Sequence, residues 1–448
     1  MLPADRFPHL TDSSHRTLLW LEEHPHAPRY THRGLHRLTQ PGLKNATVFE
    51  SLIDSDPPRW KPNTPPDWVR HYVAERCADT PFYRRWGAPP ESFHDLPTTS
   101  RADLNREPWS FVPDQQSLDD LVVYNTSGTT GHPLSILTHA DTLALYIPLL
   151  KAALRRHDIT QKFEPSRVAI AYISYQKETY TYAAVSPLLN DAGFVKINLH
   201  PNEWRDPNDV AQFLNDCNPL VYTGTPLALT ELAKLKLARQ PTALLSTSMT
   251  LTAGLRDSLH LHFACPIIDI YSMNETGPIA VNNPTTRLSN HPTLLRLLQP
   301  RLYVEILDPD DQPCPPGGRG EITVTGGINP LLPLIRYRTG DHAALEFDND
   351  RPCLIDLEGR APITFRATDG TLLNNIDVSL ALRPFAIAQY QLHQFADRSL
   401  RLKRRDAHVD DATLQTTLLN LFGASQPLTI EDLSPHEKVI QYTSDLTT

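Results

Sequence analysis

Between residues 120 and 275 the chain alternates short apolar runs rich in β-branched residues with longer stretches whose apolar positions recur at helical spacing. Strands are predicted over Arg167 to Ile173, Val195 to Leu199, Leu220 to Tyr222, Ala243 to Ser246 and Pro266 to Tyr271. Helices are predicted to open at Ser186-Pro187, Asp206-Pro207 and Thr225-Pro226, the last of them long, and another is predicted to run through Leu261. Proline suits a first helical position because the missing N–H has no intrahelical partner there, and the preceding Ser, Thr or Asp caps the turn. Strand and helix in alternation predict a parallel sheet covered on both faces, with ligands at the carboxyl ends of its strands.

After residue 300 the pattern shortens. Leu302 to Leu307, Gly320 to Gly326, Leu334 to Tyr337 and Ala343 to Phe347 are separated by Gly, Pro and Asp turns, which predicts a small antiparallel sheet or barrel. From about 360 a hairpin around Asp369-Gly370, a helix, strands near 390 and 400 and a helix over Asp411 to Leu421 have the size of a small α+β domain. The expected fold class is therefore α/β: a large N-terminal domain, residues 1–358, with doubly wound and mainly parallel sheets plus a small antiparallel β subdomain, then a C-terminal α+β domain, residues 359–448.

Composition narrows the partners. With 448 residues, 40% apolar and 21% charged, the chain can bury a sizeable core. A formal net charge of -9 argues against a general binder of nucleic acid or anionic membrane. Five cysteines lie far apart without C-x-x-C spacing, so neither a disulfide framework nor a zinc knuckle is predicted and a cytoplasmic setting is expected. Met1 to Arg6 lacks a signal-peptide pattern, and no apolar stretch approaches the roughly 18 residues of a membrane span. A soluble monomer or homodimer acting on a small molecule is expected. His32 with His36, and His260 with His262, lack a third ligand or nearby carboxylate, so no transition-metal site is predicted.

Three segments carry candidate chemistry. Thr126-Ser127-Gly128-Thr129-Thr130-Gly131 follows the apolar run Leu121-Val122-Val123; its glycines allow close approach of backbone N–H groups to an anion, and its hydroxyls add donors. A nucleotide phosphate is the expected ligand, yet the lysine of a G-x-x-x-x-G-K-[ST] loop is missing. Asp269-Ile270-Tyr271-Ser272-Met273-Asn274-Glu275 places the Glu275 carboxylate just past a strand end, where it can hold Mg²⁺ beside substrate phosphates. Arg336-Tyr337-Arg338-Thr339-Gly340-Asp341 ends a predicted strand with a turn whose aspartate can accept from both ribose hydroxyls.

The order S-G-T-T-G, Y-x-x-x-E, Y-R-T-G-D resembles the adenylate-forming superfamily of acyl-CoA synthetases and adenylation domains. Thr80 to Arg85, Phe93 to Leu104 and Gly224-Thr225-Pro226 are similar to its phenylacetate–CoA ligase branch, and the likeness spans roughly residues 75 to 360. The resemblance implies that ATP and a carboxylic acid form an acyl-adenylate and pyrophosphate, after which a thiol, coenzyme A or the phosphopantetheine of an acyl carrier protein, displaces AMP. It implies ATP contacts from Thr126, Ser127, Gly128, Thr129, Thr130 and Gly131, adenine stacking on Tyr271 with Ser248 nearby, an α-phosphate contact from Asn274, metal binding by Glu275 and ribose binding by Asp341. It also implies that the C-terminal domain is mobile, that Arg360 reaches the nucleotide, and that Lys438 bridges the carboxylate and α-phosphate.

The acyl pocket implied by the resemblance includes Tyr172, Tyr175, Thr223 and Gly224, with Tyr180 and Tyr182 close in sequence. Aromatic and polar groups together favour an aryl or hydroxyaryl acid. Ala361-Pro362-Ile363 replaces the family's Asp-containing hinge, and proline stiffens the backbone there. Two alternatives stay open: transfer of the acyl-adenylate to a non-thiol acceptor or partner reductase, and a catalytically silent nucleotide-binding role. The basic run Arg401, Lys403, Arg404 and Arg405 reads as an exposed strand edge kept soluble by charge, with contact to a CoA 3′-phosphate or an acidic carrier protein as the alternative.

Overall fold

The computed structural model describes residues 11–32, 38–119, 121–125, 134–284, 294–359, 363–434 and 439–446. Its centre is a sheet of 13 strands that is parallel on one side and antiparallel on the other. The strands Ala192–Asn198, Val168–Ser174, Val221–Gly224, Ala243–Thr247 and Ile267–Met273 lie parallel in that spatial order. Helices Asp209–Cys217, Pro226–Ala233 and Ala253–Phe263 cover one face, packing on Ile173, Val195, Ile197, Tyr222 and Leu244. Helices Gln40–Ser55 and Tyr146–Arg156 cover the other, over Ile170, Val221, Leu245 and Ile268. Alternate residues of each strand enter opposite cores, as a sheet buried on both faces requires.

Beyond Ile267–Met273 the sheet turns antiparallel through Gly277–Asn282, Leu294–Leu297, Arg351–Glu358, Leu334–Asp348, Arg319–Gly326 and Leu302–Leu307. The predicted antiparallel part is thus continuous with the parallel one. From 364 to 444 a separate small domain has its own core, built on Phe365, Tyr390, Leu402, Leu418 and Phe422. Four strands form one sheet in the order Leu428–Asp432, Leu400–Ala407, Ile387–Gln394, Tyr442–Ser444, and Thr364–Arg366 pairs with Leu372–Asn374 in a separate hairpin. The α/β fold class expected from the sequence is the one observed.

Several local expectations need correction. Ser186-Pro187 opens only a 3₁₀ turn, Pro187–Leu189, capped by the Ser186 hydroxyl; Asn190 and Asp191 then reverse the chain in left-handed conformations, so Tyr182–Ser186 and Ala192–Asn198 form an antiparallel hairpin. The helix after Thr225-Pro226 stops at Ala233, where Lys234 and Leu235 close tight bonds to the Glu231 and Leu232 carbonyls. Leu334–Asp348 is one strand, not two. Gly340 at φ +83° and register shifts against both neighbours absorb the irregularity, so Asp341 stands in a bulged strand instead of a turn. Among the described residues Val122–Asn125 pairs with Ser135–Thr138 in a two-stranded sheet separate from the large one. The basic run at 401–405 lies on a strand paired on both sides, with Arg404 bonded to Asp411 and Asp432.

The two domains touch closely. The Thr252 hydroxyl donates to the Phe385 carbonyl (2.8 Å) and Gly254 N–H to that of Arg383 (3.1 Å). A Cβ on Gly254 would lie 2.2 Å from the Pro384 carbonyl oxygen, so only glycine allows this approach.

Candidate active site

Asn274, Glu275 and Thr276 form the three-residue connection between Ile267–Met273 and Gly277–Asn282, which pair at Met273 and Gly277. Gly277 takes φ +74°, the left-handed position such a hairpin needs. The buried Gln299 amide clamps the connection by donating to the carbonyls of Thr276 (2.7 Å) and Pro278 (2.6 Å). Although it lies in a turn, Glu275 is only 6% exposed. Its Oε1 accepts from the Tyr337 hydroxyl at 3.1 Å and faces Arg101 Nη1 at 3.5 Å. Oε2 makes no hydrogen bond to any described residue, leaving half of an oriented carboxylate available to a cation.

Arg101 arrives through long-range pairing. Thr99 and Ser100 lie parallel to Tyr337 and Arg338, and Ser100 caps the helix Arg101–Arg106 in a reciprocal bond with Asp103. The third segment is tied to the second again by the Tyr271 hydroxyl, which donates to Asp341 Oδ2 at 2.9 Å. Burial and the neighbouring carboxylates push the Tyr271 and Tyr337 phenols well above their usual range, so both remain donors. The first segment joins through Tyr124, whose hydroxyl donates to the Asn274 carbonyl at 2.8 Å.

Arg336 belongs to the frame. It is 1% exposed, pairs with Glu305 (Nε to Oε1, 3.1 Å) and donates to the carbonyls of His94 and Asp311 at 2.8 and 3.0 Å. These bonds fasten the strand carrying Tyr337 and Asp341 to the N-terminal segment.

The residues expected to line an acyl pocket fall into two places. Tyr172 and Thr223 share one register row, on the face covered by Tyr146–Arg156. Gly224 faces the opposite way, where a Cβ would lie 2.6 Å from the Ile173 carbonyl oxygen. Tyr175 packs on that opposite core, beside His200 (ring centroids 5.6 Å apart), and feels the charges of Arg405 and Asp406 from the C-terminal domain. Ser248 is exposed beyond the end of Ala243–Thr247, with φ +67°. The expected phosphate contacts Thr126, Ser127, Gly128, Thr129, Thr130 and Gly131, and also Arg360, Pro362 and Lys438, lie outside the described residues. Gly359, just before Arg360, passes Asp341: a Cβ there would be 3.5 Å from Oδ1.

Sequence reasoning missed Arg101, Tyr146 and Lys196 as site residues. Arg101 lies in the segment quoted for the branch resemblance, and Tyr146 packs its ring against Gly277, within 2.6 Å of where a Cβ would stand. Lys196 is a lone lysine inside the apolar run from Val195 to Leu199, a signal for an inward-facing charge.

Among the described residues no cluster of three His, Cys, Asp or Glu side chains exists that could hold a resident metal, and no helix is long and apolar enough to cross a membrane. Glu275, with Oε1 fixed and Oε2 without a hydrogen bond among the described residues, suits Mg²⁺ carried mainly by substrate phosphates and water.

The model of the AMP-binding enzyme family matches residues 80–329, more than half of the chain. Among curated relatives, Protein CapK of Staphylococcus aureus is 19% identical over 65% of this chain, and the match spans 64% of CapK's own length. Phenylacetate-coenzyme A ligase of Escherichia coli (strain K12) is 23% identical over 78% of this chain and 80% of its own. The solved structure of 2-hydroxyisobutyryl-CoA ligase in the postadenylation state, in complex with 2-HIB-AMP, shares the fold with TM-score 0.59 and 18% identity, covering 92% of this chain and 91% of that one.

Proposed function

This chain belongs to the AMP-binding enzyme family, and from that premise we propose that it uses ATP to activate a carboxylic acid as an acyl-adenylate and passes the acyl group to coenzyme A. The acid is aromatic in this reading. The observation that carries the proposal is the hydrogen-bonded convergence of three segments distant in sequence: Tyr124 on Asn274, Tyr337 on Glu275 and Tyr271 on Asp341. A packing role alone would not require two carboxylates, each held by a buried phenol at the carboxyl end of the sheet.

In the first step a carboxylate oxygen of the acid attacks the α-phosphorus, a C–O–P linkage forms, and the bond to the β-phosphate oxygen breaks with release of pyrophosphate. Negative charge accumulates on the phosphates, so preorganised donors and cations lower the barrier. Arg101 and Tyr337 hold Glu275 with Oε2 free, and Glu275 would bind Mg²⁺, which supplies charge neutralisation at the phosphate oxygens when bound. Asp341, oriented by Tyr271, accepts from ribose hydroxyls, and the exposed Asn274 amide reaches the α-phosphate. Thr126, Ser127, Gly128, Thr129, Thr130 and Gly131 cradle the phosphates, Arg360 contacts the nucleotide, and Lys438 bridges the reacting carboxylate and α-phosphate. The C-terminal domain, taken as 359–448, moves to exchange Lys438 for the thiol channel.

Incubation with ATP, Mg²⁺ and an aromatic acid should give AMP and a mass-detectable acyl-adenylate, which coenzyme A converts to the thioester. Conversion only by a phosphopantetheinylated carrier protein would redirect the second step. Production of ADP in place of AMP would refute the proposal.

A further inference from the structure

Tyr182, Lys196, Tyr172 and Thr223 stand side by side on four neighbouring strands, on the sheet face covered by Tyr146–Arg156 and toward the carboxyl ends of the parallel strands. Lys196 is 5% exposed. Its Nζ lies 3.1 Å from the centroid of the Tyr180 ring and 5.1 Å from that of Tyr172, and the Tyr180 and Tyr182 rings are parallel within 4°. No carboxylate of the described residues pairs with it; burial alone drives its pKa down to about 7. A buried cation without an anionic partner is costly, and an apolar side chain of the same length would fill this place without that cost. Aromatic faces repay only a small part.

The lysine is connected to the proposed reaction centre by a wall of tyrosines. Tyr180 is close enough to Tyr124 and Tyr146 for its charge to raise both phenols, and those two hydroxyls bond to each other. Tyr124 in turn bonds to Asn274, while Tyr146 packs on Gly277. Both tyrosines also feel the Glu275 carboxylate. A chain of neighbouring tyrosines therefore links the Glu275 connection to Lys196.

We propose that Lys196 determines which acid is used: it receives a second acidic oxygen, a phenol or a second carboxylate, on an aromatic acid whose ring lies among Tyr172, Tyr180 and Tyr182 and whose reacting carboxylate is directed at Glu275. This rests on the adenylation reading above and adds the substrate class to it. The missing anionic partner is then supplied by the substrate, and the proton is shared within the amine–oxygen pair. A pocket built to pair such a group rejects the analogue lacking it more strongly than a purely apolar pocket distinguishes similar shapes.

The test compares acid-dependent pyrophosphate exchange for benzoate, meta- and para-hydroxybenzoate and terephthalate in the wild type and in Lys196→Met, with thermal melting to confirm that the variant folds. The wild type should prefer at least one substituted acid over benzoate by about tenfold or more in kcat/KM, and the variant should lose that preference. Response confined to the hydroxybenzoates identifies the phenol, and response confined to terephthalate the carboxylate. An unchanged preference in Lys196→Met, or a wild type that favours benzoate, overturns the proposal. If neither protein exchanges pyrophosphate with any acid, the adenylation reading fails on its own. Calorimetric titration of the substituted acids then decides for Lys196: tenfold weaker binding by the variant sustains its role, and equal binding ends it.

Discussion

Glu275 and Lys196 are both buried charges near the carboxyl ends of the parallel strands, and the fold treats them in opposite ways. Glu275 is held by a phenol and a guanidinium, with one oxygen left over. Among the described residues Lys196 meets aromatic faces and no carboxylate. The first arrangement is oriented before any ligand arrives, which is the preorganisation the proposed reaction needs. The second is unfinished, and the free energy it lacks is available to a ligand that brings an anionic oxygen. The pairing suggests a division of labour, with common chemistry at Glu275 and substrate choice at Lys196.

Removing members of each set should break the comparison in opposite directions. Arg336 and Glu305 provide a second buried pair, so Arg336→Ala should destabilise the fold by ~3–5 kcal/mol in chemical denaturation, because it leaves the buried Glu305 carboxylate with only the partly exposed His94 beside it. Lys196→Met should do the reverse. A lysine whose folded pKa falls from 10.5 to about 7 destabilises the folded state fully below pH 7, and the effect fades as pH rises toward 10.5. The variant should therefore melt higher than the wild type, by up to ~4 kcal/mol near pH 6, with the gain shrinking by pH 9. Equal melting temperatures across that window would mean that Lys196 is already paired.

Smaller effects separate Glu275 from its supports. Glu275→Gln keeps the size and the Tyr337 contact, so melting should hardly move while pyrophosphate exchange falls by about 100-fold or more. Tyr337→Phe removes one of two restraints on the carboxylate; a loss of ~1 kcal/mol, or roughly fivefold to tenfold in exchange rate, is expected. A Tyr337→Phe defect as large as that of Glu275→Gln would assign the phenol a direct part in the chemistry.

Much of this site was legible in the chain. Glu275 and Asp341 stand out because each follows a strand-forming run inside a short polar segment, and the order of the motifs adds what neither carries singly. The parallel core was equally readable, since its strands are apolar on both faces, although of the predicted proline starts only Thr225-Pro226 opens an α-helix at the proline itself. What escaped depended on contacts between distant residues. Arg101 reaches Glu275 only because Thr99 pairs with Tyr337, a partnership that no local pattern encodes. The helix expected at Ser186-Pro187 yielded to a hairpin: the Tyr182–Ser186 strand gains more by pairing with Ala192–Asn198 than the proline start gains by propagating. Tyr172 and Tyr175 sit three positions apart and fall on opposite sides of the sheet, Tyr175 packing on the core under Asp209–Cys217. Lys196 was passed over as one residue of a strand, although a single lysine inside Val195 to Leu199 cannot be solvated on a sheet covered on both sides.

The docking of the C-terminal domain offers a finer test of the same frame. Gly254→Leu should force the Pro384–Phe385 backbone away from the Ala253–Phe263 helix and increase proteolysis between the domains, with little change in the core melting of either.

The central claim is adenylation at Glu275, and exchange of labelled pyrophosphate into ATP measures it most directly, with Mg²⁺ and substituted benzoic acids present and thiols absent. Acid-dependent exchange in the wild type that drops about 100-fold or more in a folded Glu275→Gln variant is the predicted result. ATP binding without exchange for any acid, or exchange indifferent to Glu275→Gln, would contradict it.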